Sequence, residues 1–145
     1  MFAEPPSACP DCGSTGLDAY SQHIYPDHRI GWSYSFRCSK CASQVESDDY
    51  GFPPFDIRRL LADQLGVWCL SLDNPTTMRV GAMRAFRQVL SISISSAKAL
   101  VNTGVDVWIG TEVEVRWLLL ALAPFGVAAT VRPCTYPSSR LTQFD

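Results

Sequence analysis

The sequence predicts a protein of the α+β class, in which a β-rich N-terminal module precedes a β-α-α-β-α-β domain. Three observations predict this organisation. Two Cys-x-x-Cys pairs occur within the first 41 residues, apolar side chains alternate with period two over residues 30–36, and helical periods alternate with short apolar runs from residue 56 onward. With 145 residues, the chain is long enough for one compact domain or two small ones.

The two cysteine pairs, Cys9–Cys12 and Cys38–Cys41, are separated by 25 residues. Each pair turns tightly enough to direct two thiolates at one metal ion, and four thiolates complete a closed tetrahedral site with no open position for a substrate. The sequence therefore predicts one structural zinc ion bound by Cys9, Cys12, Cys38 and Cys41. Because these four complete the site, His23 and His28 are expected not to be ligands.

A strand is predicted immediately before the second cysteine pair, since Ile30, Trp32, Tyr34 and Phe36 fall on one face at period two. Together with the cysteine pairs, this pattern resembles a zinc ribbon spanning residues 1–50. The resemblance implies that the module unfolds without zinc, because metal binding supplies about 10–16 kcal/mol of apparent free energy in such modules. A redox motif is the alternative interpretation of the same cysteines.

A connecting helix is predicted within residues 51–66. Gly51, Phe52 and two prolines break the chain, and Asp56 then caps a segment whose apolar residues recur at helical spacing before Gly66 ends it.

The β-α-α-β-α-β domain is predicted over residues 67–132, followed by a polar tail over residues 133–145. Its first three elements are a strand at 67–72, a helix from Met78 to about Leu90, and a short helix that opens at Ser95 or Ser96 and ends at Gly104. A strand at 105–109 precedes Thr111 and Glu114, which have the spacing of a capping box. The helix that they begin ends at Gly126, before a closing strand at 127–131.

The segment from Phe86 to Val101 resembles the C-terminal domain of the bacterial ribosomal stalk protein and the related Clp protease adaptor S fold. The resemblance covers about residues 68–132, and the positions that match the stalk family are Arg87, Ala97, Lys98, Leu100 and Val101.

That resemblance implies candidate partner-binding residues. The stalk domain engages translation factors through a lysine-rich helical face, of which this sequence keeps Lys98. In the adaptor family, an acidic and amide pair before the first helix helps to hold a peptide's α-amino group, and Asp73 and Asn74 occupy that place here. The alternative for Asp73 and Asn74 is a capped loop.

Charge and motif content narrow the function classes. The net charge is −2; residues 1–50 carry seven acids against three bases, and residues 51–145 carry nine bases against seven acids. No basic stripe is evident, so nucleic acid is disfavoured as a partner. No catalytic triad, phosphate loop or His-Glu metal motif occurs, so we expect no enzyme. Cys69 and Cys134 are interpreted as a small buried hydrophobe or an inert thiol rather than as nucleophiles.

The N-terminus opens without a basic start or an apolar run, and the most apolar stretch, residues 117–131, is too short to span a membrane. We therefore expect a cytoplasmic bacterial protein that recognises another protein, as an adaptor or an inhibitor such as a toxin-immunity protein. The alternative is a ribosome- or nucleic-acid-associated zinc-ribbon factor. A third, catalytic hypothesis would require Cys69 or Cys134.

Overall fold

The computed structural model describes residues 2–102 and 105–143, and it shows a mixed α and β protein with two antiparallel sheets. The chain divides into two compact units, Met1–Leu65 and Gly66–Asp145. We call these the first and second units. Among the described residues, no helix has the length and apolar character that a membrane crossing requires.

The first unit contains an antiparallel sheet of five strands and one helix, α1. Strands β3 and β4 form the central hairpin, β5 pairs with the outer side of β4, and the short strands β1 and β2 both pair with β3. The bounds are β1 Phe2–Ala3, β2 Pro6–Ala8, β3 Thr15–Ile24, β4 Ile30–Cys38, β5 Gln44–Tyr50 and α1 Phe55–Leu65.

A strand was predicted directly before the second cysteine pair, and β4 confirms it. The strand begins at Ile30, and its last residue is Cys38 of that pair. Its neighbours are in matching register, with Phe36 opposite Asp18 on β3 and Val45 on β5. The predicted helix is also present as α1, which buries Leu61 and Ala62 and contacts β1 and β3.

The second unit has three strands and three helices in the predicted β-α-α-β-α-β order. Strand β6 is central in its sheet and pairs antiparallel with β7 on one side and β8 on the other. The bounds are β6 Val67–Leu72, α2 Arg79–Leu90, α3 Ile94–Val101, β7 Asp106–Gly110, α4 Glu112–Leu122 and β8 Ala129–Cys134. A 3₁₀ turn, Ala123–Phe125, follows α4.

Helix α4 organises the core of the second unit, because it contacts all three strands as well as α2. Its Leu118 is fully buried, as are Phe86 of α2, Leu70 of β6 and Trp108 of β7. The predicted capping box is present: the Glu114 N–H donates to Thr111 Oγ1 at 3.3 Å, and the Thr111 N–H donates to Glu114 Oε2 at 3.3 Å. Both residues are fully buried, so the pair satisfies backbone groups that water cannot reach.

Several boundaries differ from the sequence prediction. Helix α1 begins at Phe55, so Asp56 lies in its first turn and is not its cap. Helix α3 is capped by Ser93, whose Oγ accepts the Ser96 N–H at 3.0 Å, because Ser91 already ends α2 in a left-handed conformation with φ 55°. The end predicted for α3, Gly104, lies outside the described residues. The closing strand runs later than 127–131, because β8 pairs with the whole of β6, from Ala129 opposite Leu72 to Cys134 opposite Val67.

The prediction for Cys69 and Cys134 as inert thiols was wrong, because the two form a disulfide with Cα atoms 6.0 Å apart. Cys69 lies opposite Arg132, and Cys134 lies opposite Val67, so the two cysteines are diagonal neighbours on adjacent strands. The bond joins β6 to β8, and neither sulfur is available as a nucleophile.

The described part of the predicted polar tail packs against the rest of the second unit. Leu141 is 3% exposed. The Thr142 N–H donates to the Ile109 carbonyl of β7, and the Ile109 N–H donates to Thr142 Oγ1, both at 2.8 Å. A buried carboxylate also joins the tail to the sheet. Asp106 accepts hydrogen bonds from Ser71 at 2.7 Å, from Arg132 at 2.8 Å and from the Tyr136 hydroxyl at 3.3 Å.

Candidate metal centre and helical groove

The first cysteine pair sits on a tight turn directly after β2. The Cys9 N–H donates to the Ser14 carbonyl at 2.7 Å, and the Gly13 N–H donates to the Cys9 carbonyl at 2.9 Å. Gly13 has φ +68°, a left-handed conformation that glycine adopts without a Cβ penalty. This geometry places the Cys9 and Cys12 sulfurs on the same side of the turn.

The second cysteine pair repeats the first, 29 positions later. The Cys38 N–H donates to the Ser43 carbonyl at 2.8 Å, as Cys9 does to Ser14. The position equivalent to Gly13 is Ala42, which adopts the same left-handed conformation with φ 59°. Two copies of one turn therefore face each other, one at the end of β2 and the other at the end of β4.

The four thiol sulfurs meet in one cluster in which all ligand atoms lie within 4.8 Å of one another. Cys9 Sγ is 3.6 Å from Cys41 Sγ, and Cys12 Sγ is 3.7 Å from Cys38 Sγ. A tetrahedral zinc ion with Zn–S bonds of about 2.3 Å separates its sulfurs by about 3.8 Å. The cluster therefore has the size that one tetrahedral ion requires, and the four cysteines are positioned to coordinate one metal ion.

Backbone hydrogen bonds favour the thiolate form of Cys38. Backbone N–H groups of Cys41 and Lys40 point at its sulfur, at 3.5 Å and 3.3 Å, and lower the pKa of Cys38 to about 6. Ser43 backbone bonding favours the Cys41 thiolate, but the neighbouring thiols Cys12, Cys38 and Cys9 together raise the pKa of Cys41 to about 12. A cation is what allows all four sulfurs to ionise together.

Aromatic side chains cover one side of the cluster. Cys9 and Cys38 are buried with Phe36, and Tyr34 packs against this group. The Tyr34 hydroxyl donates to Asp18 at 2.9 Å; burial, followed by this hydrogen bond, raises the pKa of Tyr34 to about 12. His23 makes an edge contact with Tyr25 at 4.4 Å between ring centroids, and the metal-ligating group found among the described residues contains neither histidine.

The three predicted partner-binding residues lie on two different segments, since Asp73 and Asn74 are in the loop after β6 and Lys98 is in α3. Asp73 Oδ1 accepts a hydrogen bond from Thr130 at 2.8 Å, and the Asn74 carbonyl accepts the Met78 N–H at 3.0 Å before α2 begins. These contacts stabilise the loop between β6 and α2, although the N-cap residue of α2, Met78, makes no side-chain capping hydrogen bond. Lys98 lies on the exposed side of α3. Their role in binding a partner stays a prediction.

A groove between α2 and α3 was not anticipated from the sequence. Its volume is about 740 Å³, and it exposes Val80 of α2 by 58% and Ile94 of α3 by 65%. Arg84 and Arg87 contribute guanidinium groups to it and form no ion pair with any residue that the structure describes. The remaining lining residues are Met83, Gln88, Ser91, Ile92 and Ala97.

The sequence carried a signal for this groove. Residues 74–105 contain no aspartate or glutamate, and they carry four bases, Arg79, Arg84, Arg87 and Lys98. The seven acids of residues 51–145 all lie before residue 74 or after residue 105. The charge of residues 51–145 as a whole therefore does not reveal the basic segment that contains α2 and α3.

No family model, curated protein or solved structure matches the chain. The resemblance to the stalk and adaptor families therefore rests on the residues named above and stays a prediction.

Proposed function

We propose that the chain is a non-enzymatic protein-interaction module, whose first unit is held by one structural zinc ion and whose second unit binds a partner protein in the α2–α3 groove. The observation that carries the proposal is the groove itself, in which exposed apolar side chains lie beside Arg84 and Arg87, two arginines that form no ion pair with any described residue. Its occupant would be an acidic segment with apolar residues on one side.

Burial and charge together support this occupant. Val80 and Ile94 are more than half exposed at the rim of a concave surface, and covering such a patch removes apolar area from water. Arg84 and Arg87 supply positive charge with no neighbouring acid on either helix, so an acidic partner is favoured over a basic one. Arginine is also enriched among the residues that dominate protein interfaces.

Zinc is proposed as the metal because all four donors are cysteine sulfurs and lie within 4.8 Å of one another, and sulfur ligands disfavour calcium and magnesium. A closed set of four ligands leaves no position for a substrate, so the metal's proposed role is to hold the two turns together. Zinc analysis of the purified chain by atomic emission should give one ion per chain. The variant in which Cys38 and Cys41 are both serine should contain none.

An adaptor, or an inhibitor such as a toxin-immunity protein, is the biological role proposed for such a module. Either role needs a recognition surface and no catalytic group, and the disulfide removes Cys69 and Cys134 from the catalytic hypothesis. The cytoplasmic location stays a prediction. The disulfide weighs against it, because cytosolic thiols are kept reduced.

The test is an affinity pull-down from the source cells with the zinc-loaded chain, combined with cross-linking to locate the contact. One protein should be recovered in stoichiometric amount, cross-linked to α2 or α3 through an acidic segment. Recovery should be lost with Arg84→Glu and Arg87→Glu together, and kept with Arg59→Glu, which reverses an exposed charge on α1. Recovery that is insensitive to the groove variant would contradict the proposal.

A ribosome- or nucleic-acid-associated role is the second candidate, favoured by the four bases without an acid in residues 74–105. Titration of labelled RNA and DNA at increasing salt separates the two candidates. Nucleic-acid binding would show affinity that falls steeply with salt and with the double arginine variant. The protein-interaction proposal predicts no binding even at low salt.

A further inference from the structure

Strand β5 forms the long open edge of the sheet in the first unit. It follows β4 in the strand order β1-β3-β4-β5, and all seven of its residues, Gln44–Tyr50, are exposed. At the opposite side of the sheet, two short strands cover β3 instead. An uncovered edge presents backbone N–H and C=O groups on which another strand can pair.

The register shows which backbone groups are free. The Cys38 N–H donates to the Ser43 carbonyl and the Gly51 N–H donates to the Ile30 carbonyl, each at 2.8 Å. Bonding to a neighbour alternates along an antiparallel strand, so the odd-numbered residues from 43 to 51 face β4. The N–H and C=O groups of Gln44, Glu46 and Asp48 consequently point away from the sheet.

Charge on this edge selects among possible occupants. Glu46 and Asp48 project from the same face of the sheet, since they are two residues apart, and neither forms an ion pair with a described residue. Pairing of two β5 strands would bring acids close to acids, which disfavours a second copy of this chain. Negative charge also disfavours nucleic acid and anionic membranes. A basic segment has the complementary charge.

We propose that β5 accepts an extended basic segment of another protein as an additional strand of the sheet. Lysine or arginine at alternate positions would face Glu46 and Asp48, while apolar residues between them would lie on the opposite face beside Val45, which is 45% exposed. The inference rests on the proposed interaction function and adds a second surface to it, opposite in charge to the α2–α3 groove. Two such surfaces are what an adaptor requires.

The first experiment adds a peptide to the zinc-loaded full chain and follows amide hydrogen exchange by NMR. The peptide has the length of β5, has blocked ends, and alternates lysine with valine; its control carries glutamate in place of lysine. Binding should slow exchange at the outward amides of Glu46 and Asp48 by about tenfold or more, with little change at the inward Val45 and Ser47 amides. No selective protection of the outward amides would overturn the proposal.

Matched variants separate strand pairing from charge attraction. Glu46→Gln removes one charge and keeps the outward N–H, whereas Glu46→Pro removes both without breaking a bond to β4. Affinity for the lysine peptide, measured by calorimetry, should fall about tenfold further in the proline variant than in the glutamine variant. Equal affinities would overturn strand pairing and leave only charge attraction.

Two further measurements test the β5 proposal separately from the proposed binding of a partner in the α2–α3 groove. The variant with Arg84→Glu and Arg87→Glu should bind the lysine peptide as the unmodified chain does, whatever the pull-down shows. Concentration-dependent association of the chain through β5, detected by sedimentation, would instead assign the edge to a second copy and overturn the proposal.

Discussion

The two turns that carry the cysteine pairs differ at one residue, and the difference has a cost in backbone conformation. Gly13 and Ala42 both follow the second cysteine of their pair, and both are left-handed, with φ 68° and 59°. An L-residue with a Cβ pays about 1–2 kcal/mol for this conformation, whereas glycine does not. Apart from its two chain neighbours, no described residue has an atom within 4 Å of a Cβ placed on Gly13, so the cost at this turn comes from the backbone conformation.

Ala42→Gly should therefore stabilise the first unit by about 1 kcal/mol, reduced somewhat by the greater entropy of glycine in the unfolded chain. Gly13→Ala should destabilise it by a similar amount for the converse reason. The measurement is the urea midpoint of the zinc-loaded chain, followed by a probe in the β3–β4 hairpin. A lower midpoint for Ala42→Gly would contradict the assigned backbone geometry.

A second glycine is required because of side-chain crowding. A Cβ on Gly110 would overlap the carboxylate of Glu114 and lie 2.8 Å from the Trp108 indole nitrogen, and both side chains are fully buried. Gly110→Ala should cost about 1–3 kcal/mol, since well-packed neighbours cannot move aside. Gly81→Ala is the matched control: beyond its chain neighbours and the backbone of α2, no described residue has an atom within 4 Å of its Cβ, so alanine should stabilise α2 by about 0.5–1 kcal/mol. Similar urea midpoints for the two variants would refute this account.

At the level of elements, sequence patterns that involve residues close together in the chain predicted the structure well. The cysteine pairs, the period-two face of β4 and the Thr111–Glu114 box each depend on neighbours in sequence, and all are present. The end of β8, the groove and the Cys69–Cys134 bond depend on which strands and helices become neighbours in space. Two cysteines remaining after the four ligands could have suggested a disulfide, but only the β6–β8 register brings the pair together.

The disulfide should stabilise the second unit substantially, because it closes a loop between residues 65 positions apart. The chain-entropy model gives about 4 kcal/mol for a loop of this length. The variant with Cys69→Ala and Cys134→Ala should show a lower urea midpoint for β6–β8 by an equivalent amount, without change in zinc content. Thiol titration in denaturant with a chelator should find four reactive thiols in the unmodified chain; six would refute the disulfide.

At the scale of the whole molecule, the two units differ in net charge and in the interactions expected to stabilise their folds. Residues 1–65 carry nine acids and five bases, and residues 66–145 carry seven bases and five acids. The buried residues of the second unit include Trp108, Phe86 and Leu118, whereas the cluster at the metal site of the first unit consists of Cys9, Phe36 and Cys38. We therefore expect the stability of the first unit to depend on the proposed metal ion, and that of the second unit to depend on packing and the disulfide.

Removal of zinc should consequently unfold the first unit alone. Binding energy at a four-thiolate site is folding energy, of order 10 kcal/mol in small modules, and apolar packing around Phe36 is too limited to replace it. With a strong chelator and no reductant, the amides of β3, β4 and β5 should lose protection from hydrogen exchange, while those of β6, β7 and β8 keep it. Restoring zinc should restore the protection. Loss of protection in both sheets, or in neither, would show that the metal does not stabilise the β3–β5 sheet selectively.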